Sequence, residues 1–374
     1  MSLRIGVLGG GQLGRMLALA GMPLGLEFVF FDSIADATSR QCGELVVKDF
    51  LDFKALEEFA SSVDIVTYEF ENVPVEAVDF ILKHAQVYPP RAALELSQDR
   101  LFEKKLFTEL GIATPKYLAI NSEDDLTKAV AEGELPLVLK SRRLGYDGKG
   151  QFVLERSEQI SEAWEAIGKV PAIAEAFVPF SRELSLIGVR GHDGSTSFYP
   201  LVENHHFEGI LRLTLAPAGN ISVEIQRQAE HYLQSLLDRM SYVGVLTLEL
   251  FQVGTTLLAN EMAPRVHNSG HWTIEAAETS QFENHLRALL GYSLGSTNSS
   301  TPSAMINLIG ELPDPESVLK NPGTHFHTYR KQPKAGRKVG HVTISGHSAS
   351  QVAERIVALL HLLPRKIAEQ VTLN

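Results

Sequence analysis

Residues 137–151 read Leu-Val-Leu-Lys-Ser-Arg-Arg-Leu-Gly-Tyr-Asp-Gly-Lys-Gly-Gln. Leu137 to Lys140 form a short apolar run that ends in a cation, and Gly145, Gly148 and Gly150 then punctuate a loop carrying further cations. A lysine fixed at the end of a strand, beside a glycine loop able to close over a ligand, suits a polyphosphate, with Lys140 as the fixed charge. The bland alternative is a surface hairpin with solvated lysines; the strand-borne Lys140 argues against it. The stretch is not a Walker A motif, which needs G-x-x-x-x-G-K-[ST] opening a helix.

Further along the chain two carboxylates sit inside apolar runs, Glu249 in Leu-Glu-Leu-Phe and Glu261 in Leu-Ala-Asn-Glu-Met, with Gly254 as a turn between them. Buried acids need compensation, and a divalent cation shared between two adjacent strands provides it. Asn260 adds a neutral oxygen. Two glutamates on a solvated sheet face are the competing reading. Pro264-Arg-Val-His-Asn-Ser-Gly-His-Trp272 follows, rich in hydrogen-bonding side chains and poor in core formers, which marks a functional loop. His267 and His271 lack an H-E-x-x-H context, so zinc is not expected there. Arg330, Lys331, Lys334, Arg337 and Lys338 crowd one short segment, a pocket for an anionic substrate or else a solvated turn.

The N-terminus carries Gly-Val-Leu-Gly-Gly-Gly-Gln-Leu-Gly-Arg-Met at residues 6–16, a literal G-x-G-x-x-G between an apolar run and a helical pattern, with Asp32 ending the next apolar run. This fits a Rossmann unit with NAD, any other phosphorylated ligand, or simply a tight turn. Apolar runs at 5–8, 28–31, 45–47, 64–68 and 86–88 alternate with helical patterns and predict a parallel sheet with helices on both faces. Pro89-Pro90 breaks the pattern, and 91–110 reads as one or two connecting helices. Strands at 137–140, 151–154 and 172–177, with helices at 122–132 and 157–167, predict a small α+β lobe. Strands at 183–190, 196–203, 210–215, 243–253 and 255–261 predict an antiparallel sheet with flanking helices. The Ser/Thr-rich segment 296–302 reads as a surface loop.

The chain has 374 residues, 44% hydrophobic and 21% charged, the composition of an ordinary globular protein of about two or three domains. A formal net charge of −11 argues against nucleic acid or an anionic membrane as main partner. Cys42 is the single cysteine, which excludes an intramolecular disulfide and a cysteine metal cluster and fits a reducing cytoplasm. No apolar run approaches the roughly 20 residues needed to span a bilayer, and the apolar start is too short for a signal peptide.

Taken in order, these motifs resemble the ATP-grasp superfamily, and within it the N5-carboxyaminoimidazole ribonucleotide synthetases. The likeness rests on Gly-Gly-Gly-Gln-Leu-Gly-Arg-Met at the start, Gly-Tyr-Asp-Gly-Lys-Gly-Gln at 145–151, Glu-Leu-Ser-Leu-Ile-Gly-Val-Arg at 183–190, Asn-Glu-Met-Ala-Pro-Arg-Val-His-Asn-Ser-Gly-His-Trp at 260–272 and Gly-Arg-Lys-Val-Gly-His at 336–341. The resemblance implies three units: a Rossmann-like domain at 1–95 that binds no NAD, connecting helices and a central lobe at 96–180, and a C-terminal antiparallel-sheet domain at 181–374. It implies an ATP-dependent carbon–nitrogen ligase of purine biosynthesis. Bicarbonate is phosphorylated to carboxyphosphate and the carboxyl group passes to aminoimidazole ribonucleotide.

Carried over by motif, Arg100, Lys140 and the flap Gly145, Tyr146, Asp147, Gly148, Lys149, Gly150 and Gln151 would face the ATP phosphates. Glu175, Ala176, Phe177, Val178 and Glu183 would hold adenine and ribose, and His206 and Asn260 would line the same cleft. Glu249 and Glu261 would ligate Mg2+, with Mn2+ as a substitute. The ribonucleotide would contact Gln12, Leu13, Tyr146, Asp147, Arg265, His267 and Asn268, with Lys331, Arg337 and Lys338 on its phosphate. Asp147, Tyr146, Arg265 and Lys331 would act in catalysis, Asp147 by positioning or accepting a proton from the amine. The resemblance also implies a cytoplasmic homodimer in transient contact with the following mutase. Three other readings remain: another ATP-grasp ligase, such as a formate-dependent glycinamide ribonucleotide enzyme or a biotin-carboxylase-like protein; a Rossmann oxidoreductase; and a non-catalytic nucleotide-binding regulator.

Overall fold

The computed structural model describes residues 2–371 apart from Glu134, Tyr146 and Asp147, so the roles expected of Tyr146 and Asp147 lie outside the described residues. Strands β1 (Arg4–Leu8), β2 (Glu27–Asp32), β3 (Glu44–Val47), β4 (Ile65–Tyr68) and β5 (Gln86–Val87) form a parallel sheet in the order β3-β2-β1-β4-β5. The helix Gln12–Gly21 buries Leu13, Met16 and Leu17 against Ile5, Val7, Phe28 and Phe30. Leu56 and Phe59, with Val78 and Ile81, cover the other face at Val29, Phe31 and Val66. The sheet is thus doubly wound. Its strand order reverses between β1 and β4, and in such sheets ligands bind beyond the carboxyl ends of the strands flanking that reversal.

Two helices connect to the next unit, Arg91–Ser97 and Arg100–Glu109. Asp99 separates them because its carboxylate caps the second helix, accepting from the Leu101 N–H at 3.0 Å. Strands β6 (Tyr117–Ile120), β7 (Leu137–Ser141), β8 (Gln151–Leu154) and β9 (Ala172–Ala176) build an antiparallel sheet in the order β6-β9-β7-β8. Its core joins Leu139 and Ala174 to Leu126 and Trp164 of the covering helices.

The remaining strands are β10 (Arg182–Arg190), β11 (Thr196–Phe198), β12 (Val202–Phe207), β13 (Ile210–Ala216), β14 (Gly244–Val253), β15 (Thr256–Ala263), β16 (Ser303–Ile309), β17 (Thr324–Thr328) and β18 (Lys338–Ser345). They form a nine-stranded sheet in the order β15-β14-β10-β12-β13-β16-β18-β17, with β11 paired to β10. The strand expected at 196–203 is two strands. Pro200 has no N–H to give a ladder, and the Leu201 N–H turns to Gln226 Oε1 at 3.1 Å. Strands β16 to β18 and the helix Val223–Arg239 complete a sheet that the sequence had defined only through residue 261. Among the described residues no helix is long and apolar enough to cross a membrane.

Candidate active site

The glycine turn after β1 has its backbone donors already engaged. Asp32, at the end of β2, accepts from the Gly10 N–H at 2.6 Å, and Glu69, just past β4, accepts from Gly11 at 2.7 Å and Gly14 at 3.0 Å. These are the groups that would hold a dinucleotide's pyrophosphate. A phosphate there would also meet two carboxylates. The turn needs glycine for internal packing: at Gly9, with φ +103°, an added Cβ would lie 2.6 Å from Glu69 Cγ. The oxidoreductase reading loses its physical basis, and Asp32 is a turn brace rather than a ribose ligand.

A cleft of about 260 Å3 lies between the central lobe and the large sheet. Arg100, Lys140, Gly148, Lys149, Gly150 and Gln151 line it from the flap side, Ala176, Phe177, Val178 and Glu183 from the opposite wall, and Asn260 and Glu261 from β15. The flap is anchored at its base, where Arg142 donates to both carboxylate oxygens of Asp99 at 2.9 and 2.7 Å. These partners tie that cation to the connecting helix. Lys140 Nζ bonds Glu175 Oε2 at 2.8 Å and Asn260 Oδ1 at 3.2 Å.

Glu175 lines the same cleft beside Ala176. Its carboxylate is buried, with Lys104 at 3.2 Å on one oxygen and Lys140 on the other. Burial alone would raise its pKa, but the two lysine charges outweigh this and hold it at about 2. Glu175 therefore orients Lys140 from within the lining of the cleft. His206 Nδ1 meets Glu183 Oε2 at 2.7 Å. Burial opposes the imidazolium, yet the Glu183 bond and charge raise its pKa above the ordinary histidine value.

Glu249 and Glu261 stand directly opposite one another on β14 and β15. Like charges so paired repel, and each has a cationic or hydrogen-bonding partner: Arg100 donates to Glu261 Oε2 at 2.7 Å, and His267 Nε2 lies 3.1 Å from Glu249 Oε1. The Ser269 N–H points at His267 Nδ1, so the ring proton is on Nε2, toward Glu249. Two facing carboxylates with the Asn260 amide beside them are a hard-oxygen donor set that fits Mg2+ with phosphates completing its shell. Among the described residues no group of three or more His, Cys, Asp or Glu is placed to hold a metal ion by itself.

A second cavity of about 810 Å3 opens beyond the carboxyl ends of β1 and β4. Gln12, Leu13, Arg265, His267, Asn268, Lys331 and Lys338 line it, and so does Gly145 of the flap. Lys331 Nζ donates to Gln12 Oε1, joining the C-terminal segment to the first helix. Arg265 donates through Nε to Glu71. The Asn268 side chain is buried with neither amide atom bonded within the protein, leaving a donor and an acceptor for a ligand. Arg337 does not join this set. It is exposed, closes a turn through its N–H to the Lys334 carbonyl, and donates to the Gln332 carbonyl at 3.4 Å. Arg100, His206, Gly209, Glu249 and Glu261 border both cavities, which therefore meet at the carboxylate pair.

Sequence reasoning missed Glu69, Glu71, Asp99, Glu103 and Lys104. A usable signal was present: Arg100, Glu103 and Lys104 fall at i, i+3 and i+4, one helix face.

Comparison with known proteins agrees with this geometry. Residues 2–98 match the ribonucleotide synthetase preATP-grasp domain, 105–282 the ATP-grasp domain and 303–355 the phosphoribosylaminoimidazole carboxylase C-terminal domain. The N5-carboxyaminoimidazole ribonucleotide synthase of Pseudomonas aeruginosa is 50% identical over 96% of this chain and 99% of its own length. The crystal structure of the Thermus thermophilus synthetase superposes with a TM-score of 0.92 at 53% identity, covering 96% of this chain and 98% of that one. The Aspergillus clavatus synthase, solved with ADP and 5-aminoimidazole ribonucleotide, gives 0.90 at 30% identity over 99% of both chains. With identity of this level across essentially its whole length, the chain belongs to the N5-carboxyaminoimidazole ribonucleotide synthase family of ATP-grasp enzymes.

Proposed function

We propose that this enzyme, an ATP-dependent ligase that carboxylates aminoimidazole ribonucleotide in purine biosynthesis, divides the reaction between its two cavities. ATP takes the smaller cleft and the ribonucleotide the larger one. The observation that carries this division is the border shared by the two, formed by Arg100, His206, Gly209, Glu249 and Glu261; in this reading the γ-phosphate end of one ligand would meet the amine of the other there.

In this reading a bicarbonate oxygen attacks the γ-phosphorus and ADP leaves. The exocyclic amine of the ribonucleotide then captures the carboxyl group of carboxyphosphate, or carbon dioxide released from it. Lys140, steered by Glu175, and Arg100 place fixed positive charge on the phosphates, and His206, paired with Glu183, stands at the border. Glu249 and Glu261 would hold Mg2+, which would supply neutralisation of phosphate charge. Arg265, fixed by Glu71, and His267, oriented by Ser269, face the region where carboxyl transfer takes place. Asn268 and Gln12 hold the ribonucleotide, Lys331 and Lys338 its phosphate. Flap closure excludes water from an intermediate that hydrolyses readily. Asp147 accepts or orients the amine proton, a role that full activity in Asp147→Asn would remove.

We extend the proposal to three units at 1–95, 96–180 and 181–374 and to a cytoplasmic homodimer that hands its product to the following mutase. The single, buried Cys42 fits a reducing compartment. The test is ADP release from magnesium-ATP and bicarbonate with and without aminoimidazole ribonucleotide. Strong stimulation by the ribonucleotide, lost in Glu261→Gln, is expected; ATPase indifferent to it would redirect the reading to another acceptor of the same superfamily.

A further inference from the structure

The ladder between β14 and β15 is irregular at the carboxylate pair. Glu249 faces Glu261, but the next pair is Leu250 with Ala259, so Asn260 is an extra residue with no partner. In a regular strand successive side chains point to opposite faces, and Asn260 and Glu261 could not both reach one cleft. The bulge turns both toward it. A bulge also disturbs backbone pairing, and buried carbonyl and N–H groups need other partners.

Those partners come from the helix Arg100–Glu109. Glu103 Oε1 accepts from the Met262 N–H at 2.7 Å, and Lys104 Nζ donates to the carbonyls of Ala259 at 3.2 Å and Asn260 at 2.7 Å. Both side chains are buried, Glu103 2% exposed and Lys104 0%. Together they grip the backbone on either side of Glu261. Lys104 also ion-pairs with Glu175, which orients Lys140, and Lys140 returns to the Asn260 side chain. A closed circuit therefore joins the connecting helix, the central lobe and the large sheet.

We propose that Glu103 and Lys104 are positioning residues that hold the β15 bulge, and with it the ligand geometry of Asn260 and Glu261, for the metal–nucleotide complex. The inference rests on the role given above to Glu249 and Glu261. It predicts a particular tolerance: a glutamine at 103 still offers an oxygen to the Met262 N–H, whereas methionine fills the space and offers none, and aspartate falls one methylene short.

The experiment measures binding of Mn2+ with ADP, by the loss of the free Mn2+ electron paramagnetic resonance signal, in full-length wild type, Glu103→Gln, Glu103→Asp, Glu103→Met and Glu261→Gln. Glu103→Gln is expected within about twofold of wild type, and Glu103→Asp and Glu103→Met about tenfold weaker, the consequence of losing one buried hydrogen bond to a backbone donor. The KM for magnesium-ATP should rise more than the KM for aminoimidazole ribonucleotide, whose larger cavity Glu103 and Met262 also border. A folded Glu103→Asp or Glu103→Met with wild-type Mn2+ affinity overturns the proposal; so does a Glu103→Gln as weak as the aspartate variant. If Glu103→Met fails to fold, Glu103→Asp decides alone, and its failure to fold while Glu103→Gln folds and binds normally would assign Glu103 to stability and overturn the positioning role. Wild-type Mn2+ affinity in Glu261→Gln would instead refute the metal site itself.

Discussion

Gly11 donates its backbone N–H to the Glu69 carboxylate at 2.7 Å, and this bond turns a dinucleotide-type loop into a sealed one. A Cβ at Gly11 would stand 2.4 Å from Glu69 Oε1, so Gly11→Ala must expel the carboxylate from its seat. The expected cost is about 1–3 kcal/mol, read from urea unfolding midpoints, for stripping a buried acceptor of its donors. In the wild type, NADH should leave the melting temperature unchanged while magnesium-ADP raises it. Stabilisation by NADH would mean that the turn opens to accept a pyrophosphate after all.

His206 gives the nucleotide cleft an alkaline limit. Its pKa is raised because the Glu183 hydrogen bond and charge prevail over burial. The pair's stabilisation is therefore complete below the ordinary value of about 6.5 and fades as pH rises through the raised one. ADP affinity, measured by calorimetry, should weaken over that alkaline interval, and His206→Gln should bind more weakly at acid pH and lose most of the slope. A slope unchanged in His206→Gln would assign the titration elsewhere.

Much of this was legible in the sequence because it lies in local patterns. The glycine turn, the flap after Lys140 and the Glu249–Glu261 hairpin each occupy one short stretch, and the strings from 260 to 272 and 336 to 341 pointed to the family. The residues that were missed act across long separations. Glu69 braces Gly11, Glu71 holds Arg265, and Glu103 caps the backbone of Met262. Periodicity cannot place a side chain against a partner 58, 159 or 194 residues away. The bulge at Asn260 was hidden for a related reason: one extra residue in a strand leaves the apolar alternation almost intact. Arg337 and Lys338 were grouped because they are adjacent in sequence, but Arg337 closes a turn and is exposed while Lys338 opens β18 and lines the larger cavity.

His285 couples the first domain to the large sheet. The Val245 N–H donates to its Nδ1 at 3.0 Å, which leaves the proton on Nε2 to reach Thr67 Oγ1 at 3.0 Å. Burial pushes its pKa down to about 3. With the unfolded value near about 6.5, its stabilisation is present above that pH and is lost progressively as pH falls toward the folded value. Denaturant titrations should give a stability that declines on acidification, and His285→Asn should lessen that decline by up to about 1.4 kcal/mol per pH unit. Equal slopes in the two proteins would exclude His285 as a source of acid sensitivity.

Lys338 and Arg337 are neighbours in sequence, and their substitution should separate them sharply. Lys338 lines the larger cavity at the start of β18, while Arg337 is exposed and bonded to the Gln332 carbonyl. Lys338→Ala should raise the KM for aminoimidazole ribonucleotide by about tenfold or more, since a charge-assisted bond to phosphate contributes roughly 1.5–3 kcal/mol. Arg337→Ala should change it by less than about twofold, as expected for an exposed cation. The KM for magnesium-ATP should be unaffected in both, because neither residue borders the smaller cleft. The reverse pattern would require the turn at 334–337 to refold when substrate binds, bringing Arg337 inward, and the phosphate would then sit on the outer side of β18.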